Sequence, residues 1–478
     1  MDVVIGKNGK DVSFGPLHFG SACLGDARRT KRLVKIADQI MAHPGGSLPH
    51  KMRNWTELTG LYRLVSAEQV THQAVIQAHC QRTRELAEQV GGVVLRIHDT
   101  TELDYTHVPA LHEQLGQVGD GSGFGYLCHN TLAVTPQREV LGLCSQILHK
   151  RRDVPKDETG PQKREHPQRE SRLWPAGVQA SGATPEGCLW VDVADRGADT
   201  FEFLDDMHQQ DARYVIRCAH DRALAGEDHV ATDRIHHHLL DYTRDLPALG
   251  ERTVEVRRQQ KTRRKPLRKP RQAVVRVAAG PVSIAAPHVA CGQHQSQPLD
   301  LWVVHVHEVS PPPGEEALEW ILLTNLATET FEQACQRMDW YSCRPMVEEL
   351  HKGMKTGCGI ESMQFEHAER LEPMIGLLSV VAAVLLQLRE AARGKEADRT
   401  PATELLPPLF VKVLSGWRYK DPERPMSVYE FCMALARLGG HLNRKGDGFP
   451  GWLTLWRGWE DLRLMVMGVE AMRRRECV

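Results

Sequence analysis

The segment GGVVLRIHDTTELDYT, residues 91–106, predicts a buried β-strand that carries a polar side chain to the edge of a sheet. Its apolar run, VVLRIH, ends at Asp99, and two threonines follow. The segment CLWVDVADRGAD, residues 188–199, has the same arrangement, because an apolar strand ends at Asp195. Aspartate at a strand end is also ordinary turn chemistry, so neither residue alone identifies a site. Together the two segments predict an α/β fold with acids at two strand ends.

Helical patterns precede this region. LGDARRTKRLVKIADQIM has a Gly-Asp start signal followed by Arg28, Arg29 and Arg32, and NWTELTGLYRLVS forms a second pattern. Short helices with a basic end are typical of a small DNA-binding bundle, and they are equally typical of an ordinary helical subdomain. The sequence leaves both interpretations open.

Strand patterns dominate residues 252–309, and helical patterns dominate after Thr330. The run RRQQKTRRKPLRKPRQ, residues 257–272, carries nine Lys or Arg residues and no acid, which favours contact with DNA phosphates over a simple solvated loop. His305 and His307 lie on one side of a predicted strand, a pattern more typical of a polar sheet face than of a ligand pair.

Composition places the chain among globular proteins. Of 478 residues, 41% are hydrophobic and 25% charged, and the net charge of −1 indicates no nucleic-acid partner by itself. The twelve cysteines form no C-x-x-C pair, which argues against a zinc ribbon or a disulfide framework and for a reducing compartment.

The apolar run MIGLLSVVAAVLL, residues 374–386, is shorter than a bilayer span, so we expect a buried helix. We expect a cytoplasmic protein with no membrane partner and no signal peptide.

The segment YSCRPMVEELHKGMKTG, residues 341–357, has the periodicity of one amphipathic helix. Such a helix would bring Tyr341, Arg344, Glu348 and Lys355 to one face. A solvated stripe of charges has the same appearance. The alternative is a site in which the carboxylate binds metal and the phenol, guanidinium and ammonium groups bind phosphate.

These motifs resemble the IS-four family of bacterial DDE transposases. The spacing Tyr341-x2-Arg344-x3-Glu348-x6-Lys355 is similar to the Y-R-E-K signature of that family. HDTT around Asp99 and DRGAD from Asp195 resemble the other two acid motifs of the family, in the right order. LGDARRTKRL, HKGMKTG, LLQLRE, ALARLGG and LWRGWE look similar to transposases of the Tn-five type. The resemblance runs over nearly the whole chain.

The resemblance implies a ribonuclease-H-like catalytic core with an inserted antiparallel β subdomain, flanked by helical N- and C-terminal domains. In this chain a DNA-binding domain would occupy residues 1–72 and a catalytic domain residues 73–370, with the insertion at about 222–315. A helical dimerisation domain would occupy residues 371–478.

The resemblance also implies the site. Asp99, Asp195 and Glu348 would be the catalytic acids and would hold Mg²⁺, with Mn²⁺ as a substitute, as a pair of ions. Trp320 would stack on a flipped base. The expected DNA-binding residues, with the basic N-terminal helix included, are Tyr341, Arg344, Lys355, Lys352, His351, Trp320, Arg217, Arg28, Arg29 and Arg32.

Two positions depart from the family pattern. Pro345 stands where an aromatic residue usually follows the signature arginine. Because proline is tolerated only in the first turn of a helix, we expect the helix to begin near Ser342. Gly197 replaces the glutamate commonly found in the second acid motif. Neither departure removes an expected metal ligand.

These features predict a cut-and-paste transposase that acts as a homodimer on double-stranded DNA, both transposon ends and target. The resemblance implies that cleavage would be metal-dependent, would proceed through a hairpin, and would be followed by joining of the 3′-OH to target DNA. In a bacterium the bound protein would be associated with the nucleoid. Two alternatives stay open: a ribonuclease-H-like nuclease without strand transfer, and a non-catalytic DNA-binding relic of a transposase.

Overall fold

The computed structural model of the chain describes residues 13–52, 54–226, 229–232, 234–256, 269–287, 297–444 and 447–476. Helices and strands are numbered here in chain order. The helices are α1 Phe14–Phe19, α2 Ala27–Ala42, α3 Leu48–Met52, α4 Trp55–Val65, α5 His72–Val90, α6 Gly160–Glu165, α7 Leu173–Ala180, α8 Phe201–Gln209, α9 Leu239–Asp245, α10 Phe331–Ser342, α11 Pro345–Lys352, α12 Ala368–Ala391, α13 Pro408–Tyr419, α14 Val428–Leu438 and α15 Trp452–Glu476. The strands are β1 Gly92–Asp104, β2 Gly116–Val118, β3 Gly123–Val134, β4 Val140–His149, β5 Cys188–Ala194, β6 Arg213–Arg217, β7 Val230–Ala231, β8 Arg234–Ile235, β9 Ala248–Val256, β10 Arg271–Ile284, β11 Leu299–Glu308 and β12 Glu319–Thr324.

These elements belong to two compact units. The sheet unit comprises Gly91–Asp99 and Val154–Pro345. The helical unit comprises Met1–Val90, Thr100–Asp153 and Met346–Val478. Strand β1 supplies residues to both units, because the division falls between Asp99 and Thr100.

The strands follow the order expected of a mixed α/β fold. In the sheet unit the hydrogen-bonded order is β1-β5-β6-β12-β11-β10-β9, and in the helical unit β2 and β4 both pair with β3, which neighbours β1. Counted through β1, these strands make a mixed sheet of ten. Strands β1, β5 and β6 are parallel, whereas β9 to β12 are antiparallel. This arrangement, with helices before and after the sheet in the chain, is consistent with a ribonuclease-H-like core and confirms the predicted fold class.

Local sequence signals explain where several helices begin. The Gly-Asp start signal is confirmed, because Asp26 is the N-cap of α2 and its carboxylate accepts a hydrogen bond from the backbone N–H of Arg28. Helix α10 begins with a capping box, in which the Thr330 hydroxyl and the Gln333 side chain bond to each other's backbone N–H groups. Each cap satisfies backbone donors that a helix start leaves without partners.

Helix α12 contains the most apolar run of the chain. By length and composition it could cross a membrane, and 83% of its most apolar window is buried within the protein. It packs against α5 and β4 in the helical unit. A helix that is apolar on every side is typical of a protein core. The prediction of a buried helix in this region is confirmed.

Candidate active site

Parallel pairing of β1 and β5 brings the two predicted acids to equivalent positions. Ile97 lies opposite Val193 and His98 opposite Ala194, and the next residues along the two chains are Asp99 and Asp195. Asp195 follows the last residue of β5, as predicted. The prediction that Asp99 ends its strand is wrong, because β1 continues to Asp104. What ends near Asp99 is the parallel pairing with β5, while the later residues of β1 lie in the helical unit.

Arg344 joins the two aspartates. Its Nη2 atom lies 3.0 Å from Oδ1 of Asp99 and 3.0 Å from Oδ2 of Asp195. The other oxygen of Asp195 accepts a hydrogen bond from the backbone N–H of Gly197, at 2.9 Å. The Asp195 side chain keeps 34% of its surface exposed, against 13% for Asp99. Two carboxylates that share one cation where the parallel pairing of β1 and β5 ends have the donor chemistry that Mg²⁺ and Mn²⁺ prefer.

A buried ion cluster lies in the strands that carry these aspartates. Asp192 of β5 is fully buried, and its carboxylate binds the Arg96 guanidinium and His98 Nε2, the latter at 2.7 Å. Burial acts to raise the pKa of Asp192, but the charge of Arg96 and the hydrogen bond from His98 outweigh it, and the pKa is lowered. The Arg96 guanidinium also stacks on Trp190, 4.6 Å from the ring centroid. A charged residue inside the apolar run LWVDVA was the sequence signal for this cluster.

The two aspartates of the DRGAD motif have different environments. Asp199 is fully buried, accepts hydrogen bonds from the backbone N–H groups of Ala219 and His220, and pairs with Arg222 at 2.7 Å. Its carboxylate therefore stabilises the segment that follows β6. Asp195 is the more accessible aspartate of the motif.

Side-chain packing explains why residue 197 is a glycine. A Cβ atom at this position would lie 2.7 Å from an atom of the Trp174 ring. The ring therefore occupies the space that a side chain at residue 197 would need. The lack of a side chain at residue 197 therefore matches the position of the Trp174 ring in α7.

Tyr341, Trp320 and Arg217 form a polar and aromatic group in the sheet unit. The rings of Tyr341 and Trp320 meet edge to face, with centroids 5.8 Å apart. Arg217, at the end of β6, donates to the backbone oxygen of Glu319 at 3.1 Å, and its positive charge lies near the Tyr341 phenol. Burial raises the pKa of Tyr341, and the nearby Arg217 and Arg344 cations offset part of that increase. The phenol therefore stays protonated and can donate a hydrogen bond.

The expectation of one helix through residues 341–357 is wrong. Tyr341 lies in the last turn of α10, Arg344 lies in the turn that follows, and α11 begins at Pro345, three residues after the expected start at Ser342. Proline has no N–H to donate to a preceding turn, so the helical hydrogen bonding stops before it. Arg344 reaches the aspartates from a turn rather than from a helix face.

Glu348 lies in the first turn of α11 and is partly exposed. It belongs to the helical unit. The carboxylate of its neighbour Glu349 is held in two ion pairs within the helical unit. Arg389 of α12 lies 2.8 Å from it, and Lys352 lies 2.7 Å from it. Burial acts to raise the pKa of Glu349, but these cations outweigh it and the pKa is lowered.

Three further predicted residues follow Glu348. His351 is buried, 7% exposed, and its Nε2 atom lies 3.1 Å from the amide nitrogen of Asn130 on β3, so the structure places it in the interior of the helical unit. Lys352 is exposed beside Glu349. Lys355 lies in a π-helical turn, Gly353–Gly357, and pairs with Glu361 at 3.2 Å. Such turns are frequent at functional sites.

The three predicted N-terminal arginines are in protein contacts. Arg28 pairs with Asp26, Arg29 donates to Gln69, and Arg32 pairs with Glu57 of α4.

Sequence reasoning missed Trp55 at the start of α4, whose surface is 80% exposed. An exposed tryptophan is rare enough to be a signal, but its exposure cannot be judged from the helical pattern alone. Most of the basic run 257–272 lies outside the described residues.

One comparison with known proteins bears on these residues. Residues 16–70 match a sequence family described as transposase DNA-binding. The match covers most of α1 and all of α2 to α4, including the basic start of α2. It favours the DNA-binding interpretation of these helices over that of an ordinary helical subdomain, and it supports a transposase that binds DNA.

Proposed function

We propose that this protein is a cut-and-paste DNA transposase of the IS-four type, similar to the Tn-five transposases. The observation that carries the proposal is the pairing of Asp99 and Asp195 through Arg344, in a chain whose N-terminal segment matches a transposase DNA-binding family. Glu348 is proposed as the third acid. The protein would act in the bacterial cytoplasm, bound to the nucleoid, as a homodimer on transposon ends and target DNA.

The proposed site residues suit the chemistry that such a reaction requires. When bound at the acids, Mg²⁺ or Mn²⁺ would activate water and stabilise the charge on the phosphate oxygens. Asp99 and Asp195 would hold the ions with Glu348. Arg344 and the protonated phenol of Tyr341 would bind phosphate oxygens near the cut, and Lys355 and Lys352 would add positive charge. Arg217 would place its positive charge beside the Tyr341 phenol.

Trp320 is proposed to stack on a flipped base and so stabilise a hairpin end. Its ring packs edge to face with the Tyr341 ring, so the two aromatic groups would rearrange together. Base stacking contributes about 1–3 kcal/mol per base. We expect Trp320→Ala to slow hairpin formation or opening more than first-strand nicking. Equal loss at all steps would count against this role.

The proposal is tested by incubating the purified protein with Mg²⁺ or Mn²⁺ and a labelled duplex that carries the terminal sequence of its element. Nicks, hairpins and joined products are then resolved on a denaturing gel. We expect all products to disappear in Asp195→Asn and Glu348→Ala and to persist in the surface controls Asp153→Asn and Glu366→Ala. Binding without products in the wild type would indicate a DNA-binding relic, and nicks without joining would indicate a nuclease.

The DNA-binding part of the proposal has its own test. Trp55→Ala removes an exposed ring from the matched segment, so we expect about tenfold weaker DNA binding with unchanged thermal stability. Leu442→Ala is a matched control, because Leu442 is also largely exposed and lies outside that segment. Equal binding by both variants would exclude Trp55 as a DNA contact.

A further inference from the structure

Three side chains with metal-binding groups face one side of the antiparallel sheet. His305 and His307 alternate along β11, and His307 lies directly opposite Glu319 of β12. Residues two apart on a strand, and residues directly opposite each other, share a face. The backbone register therefore holds two imidazoles and one carboxylate together on two neighbouring strands.

The donor atoms are close enough to share one ion. One ligand atom from each of the three residues lies within 4.8 Å of the other two. His305 Nε2 and Glu319 Oε1 are 3.1 Å apart. In a tetrahedral site with bonds of about 2.0–2.2 Å, ligand atoms lie roughly 3.5 Å apart, so modest rotations of the side chains would complete the geometry.

His307 supplies an independent observation. Its Nδ1 atom is buried and has no hydrogen-bond partner among the residues that the structure describes. A buried polar atom without a partner costs about 1–3 kcal/mol, so such atoms usually mark a bound water, an ion or a functional role. A metal ion in the cluster is one way to satisfy an imidazole nitrogen of this residue.

We propose that His305, His307 and Glu319 form a binding site for a zinc-type transition-metal ion, with water completing the coordination. Two imidazoles and one carboxylate are a ligand set that zinc accepts, whereas Mg²⁺ prefers oxygen ligands alone. This site is therefore chemically different from the one proposed at Asp99 and Asp195.

Arg244 of α9 is part of this arrangement. Its Nε donates to Oε1 of Glu319 at 3.0 Å, and its Nη2 donates to Oε2 at 3.2 Å. An ion at Oε1 would replace the Nε contact, while the Nη2 contact would still orient the carboxylate. Carboxylate ligands of metals are commonly held by such outer hydrogen bonds.

The site is connected to residues of the proposed reaction through β12. Glu319 immediately precedes Trp320, and the backbone oxygen of Glu319 accepts the hydrogen bond from Arg217. An ion that ties β11 to β12 would fix the position of both residues. Its role would be structural, since the ligands lie on adjacent strands rather than around a reacting group.

The test is a titration of the full chain with Zn²⁺ in the presence of millimolar Mg²⁺, followed by calorimetry. Co²⁺ is used as a second probe, because its visible absorption reports coordination by imidazole nitrogen. We expect one zinc equivalent to bind the wild type. His307→Asn should bind that equivalent at least tenfold more weakly, and it should fold normally because the Nδ1 atom has no described hydrogen bond to lose.

Two controls separate this site from other zinc binding. Asp195→Asn should retain the zinc binding, and so should His107→Asn, which changes an exposed histidine of the helical unit. Unchanged zinc affinity and unchanged Co²⁺ absorption in both His307→Asn and His305→Asn would overturn the proposal. Zinc binding that disappears in Asp195→Asn would assign the ion to the aspartates and would also overturn it.

Discussion

The positive charge of Arg344 explains its position between two aspartates. One guanidinium nitrogen lies at hydrogen-bond distance from both Asp99 and Asp195, although 149 positions separate Arg344 from Asp195. Two carboxylates this close to each other need a positive charge between them. In the proposed function the same charge would move to a DNA phosphate when metal ions neutralise the aspartates.

We therefore expect Arg344→Ala to bind Mg²⁺ more tightly in the absence of DNA, because the competing cation is gone. The expected gain is about tenfold in apparent affinity, or about 1.4 kcal/mol. The measurement is the Mg²⁺-dependent increase of Tm. Arg213→Ala is the control, since Arg213 pairs with Asp211 on the surface of the same unit. Identical Mg²⁺ responses in Arg344→Ala and the wild type would contradict the idea of competition.

The residue type allowed at position 197 depends on Trp174, a ring that is distant in the sequence but adjacent in space. We expect Gly197→Ala to lower the free energy of unfolding by about 1–3 kcal/mol, because the new methyl group would overlap the Trp174 ring. Urea denaturation measures the effect. Gly451→Ala is the control, since a Cβ at that position meets nothing within 4 Å. If the added substitution Trp174→Ala does not restore stability, the clash is not the cause.

At the scale of elements, a pair of buried histidines joins α1, α5 and β4 in the helical unit. The Nδ1 atoms of His18 and His79 lie 2.9 Å apart, and the backbone N–H of Leu143 donates to His79 Nε2. That bond leaves the proton of neutral His79 on Nδ1, so His79 donates and His18 accepts. Both rings must be neutral for this arrangement to hold.

This pair predicts acid sensitivity. Burial lowers the pKa of His79 to about 3 and the pKa of His18 well below its usual range, and the nearby Arg82 adds to both shifts. The unfolded chain takes up these protons near pH 6.5, so below that pH it binds more protons than the folded chain. Stability should therefore fall as the pH decreases, by about 1.4 kcal/mol per pH unit for each histidine.

The measurement is the urea midpoint at pH 7.5 and pH 5.5. His79→Gln keeps an acceptor for Leu143 and removes one titrating group, so its midpoint should change less between the two values. His166→Gln, a residue outside this cluster, should behave like the wild type. An equal decrease in all three proteins would place the acid sensitivity elsewhere.

At the scale of the whole molecule, Lys51 ties together distant parts of the helical unit. The side chain is 1% exposed, and its ammonium group donates to the backbone oxygens of Pro44, Gly46 and Cys358. Burial lowers its pKa to about 8, and the charges of Cys358 and Glu460 offset part of that decrease. The bond to Cys358 spans 307 positions in the sequence.

We expect Lys51→Met to destabilise the protein by about 2 kcal/mol or more, because three carbonyl groups lose their donor. Thermal unfolding at pH 7 measures the loss, and Lys31→Met, at an exposed position of α2, provides the control. A Tm equal to that of the wild type would mean that water replaces the ammonium group without cost.

Several features could be predicted because they depend on neighbouring residues. The alternation and length of apolar runs predicted β1 and β5, and the Gly-Asp signal predicted the start of α2. Asp195 was placed at a strand end for the same reason. Backbone propensity and burial of one face act over a few residues, so the sequence alone determined the α/β class and the strand-end position of Asp195, whereas it misplaced the end of β1.

The tertiary structure decided which side chains meet. Parallel register placed Asp99 level with Asp195, a turn at Pro345 rather than a helix face directed Arg344 to both, and burial put His351 beside Asn130. The antiparallel register of β11 and β12 brought His305 and His307 beside Glu319. The sequence had indicated only a polar sheet face at the two histidines. Such contacts depend on strand register and packing between residues far apart in the chain, and local periodicity carries no information about either.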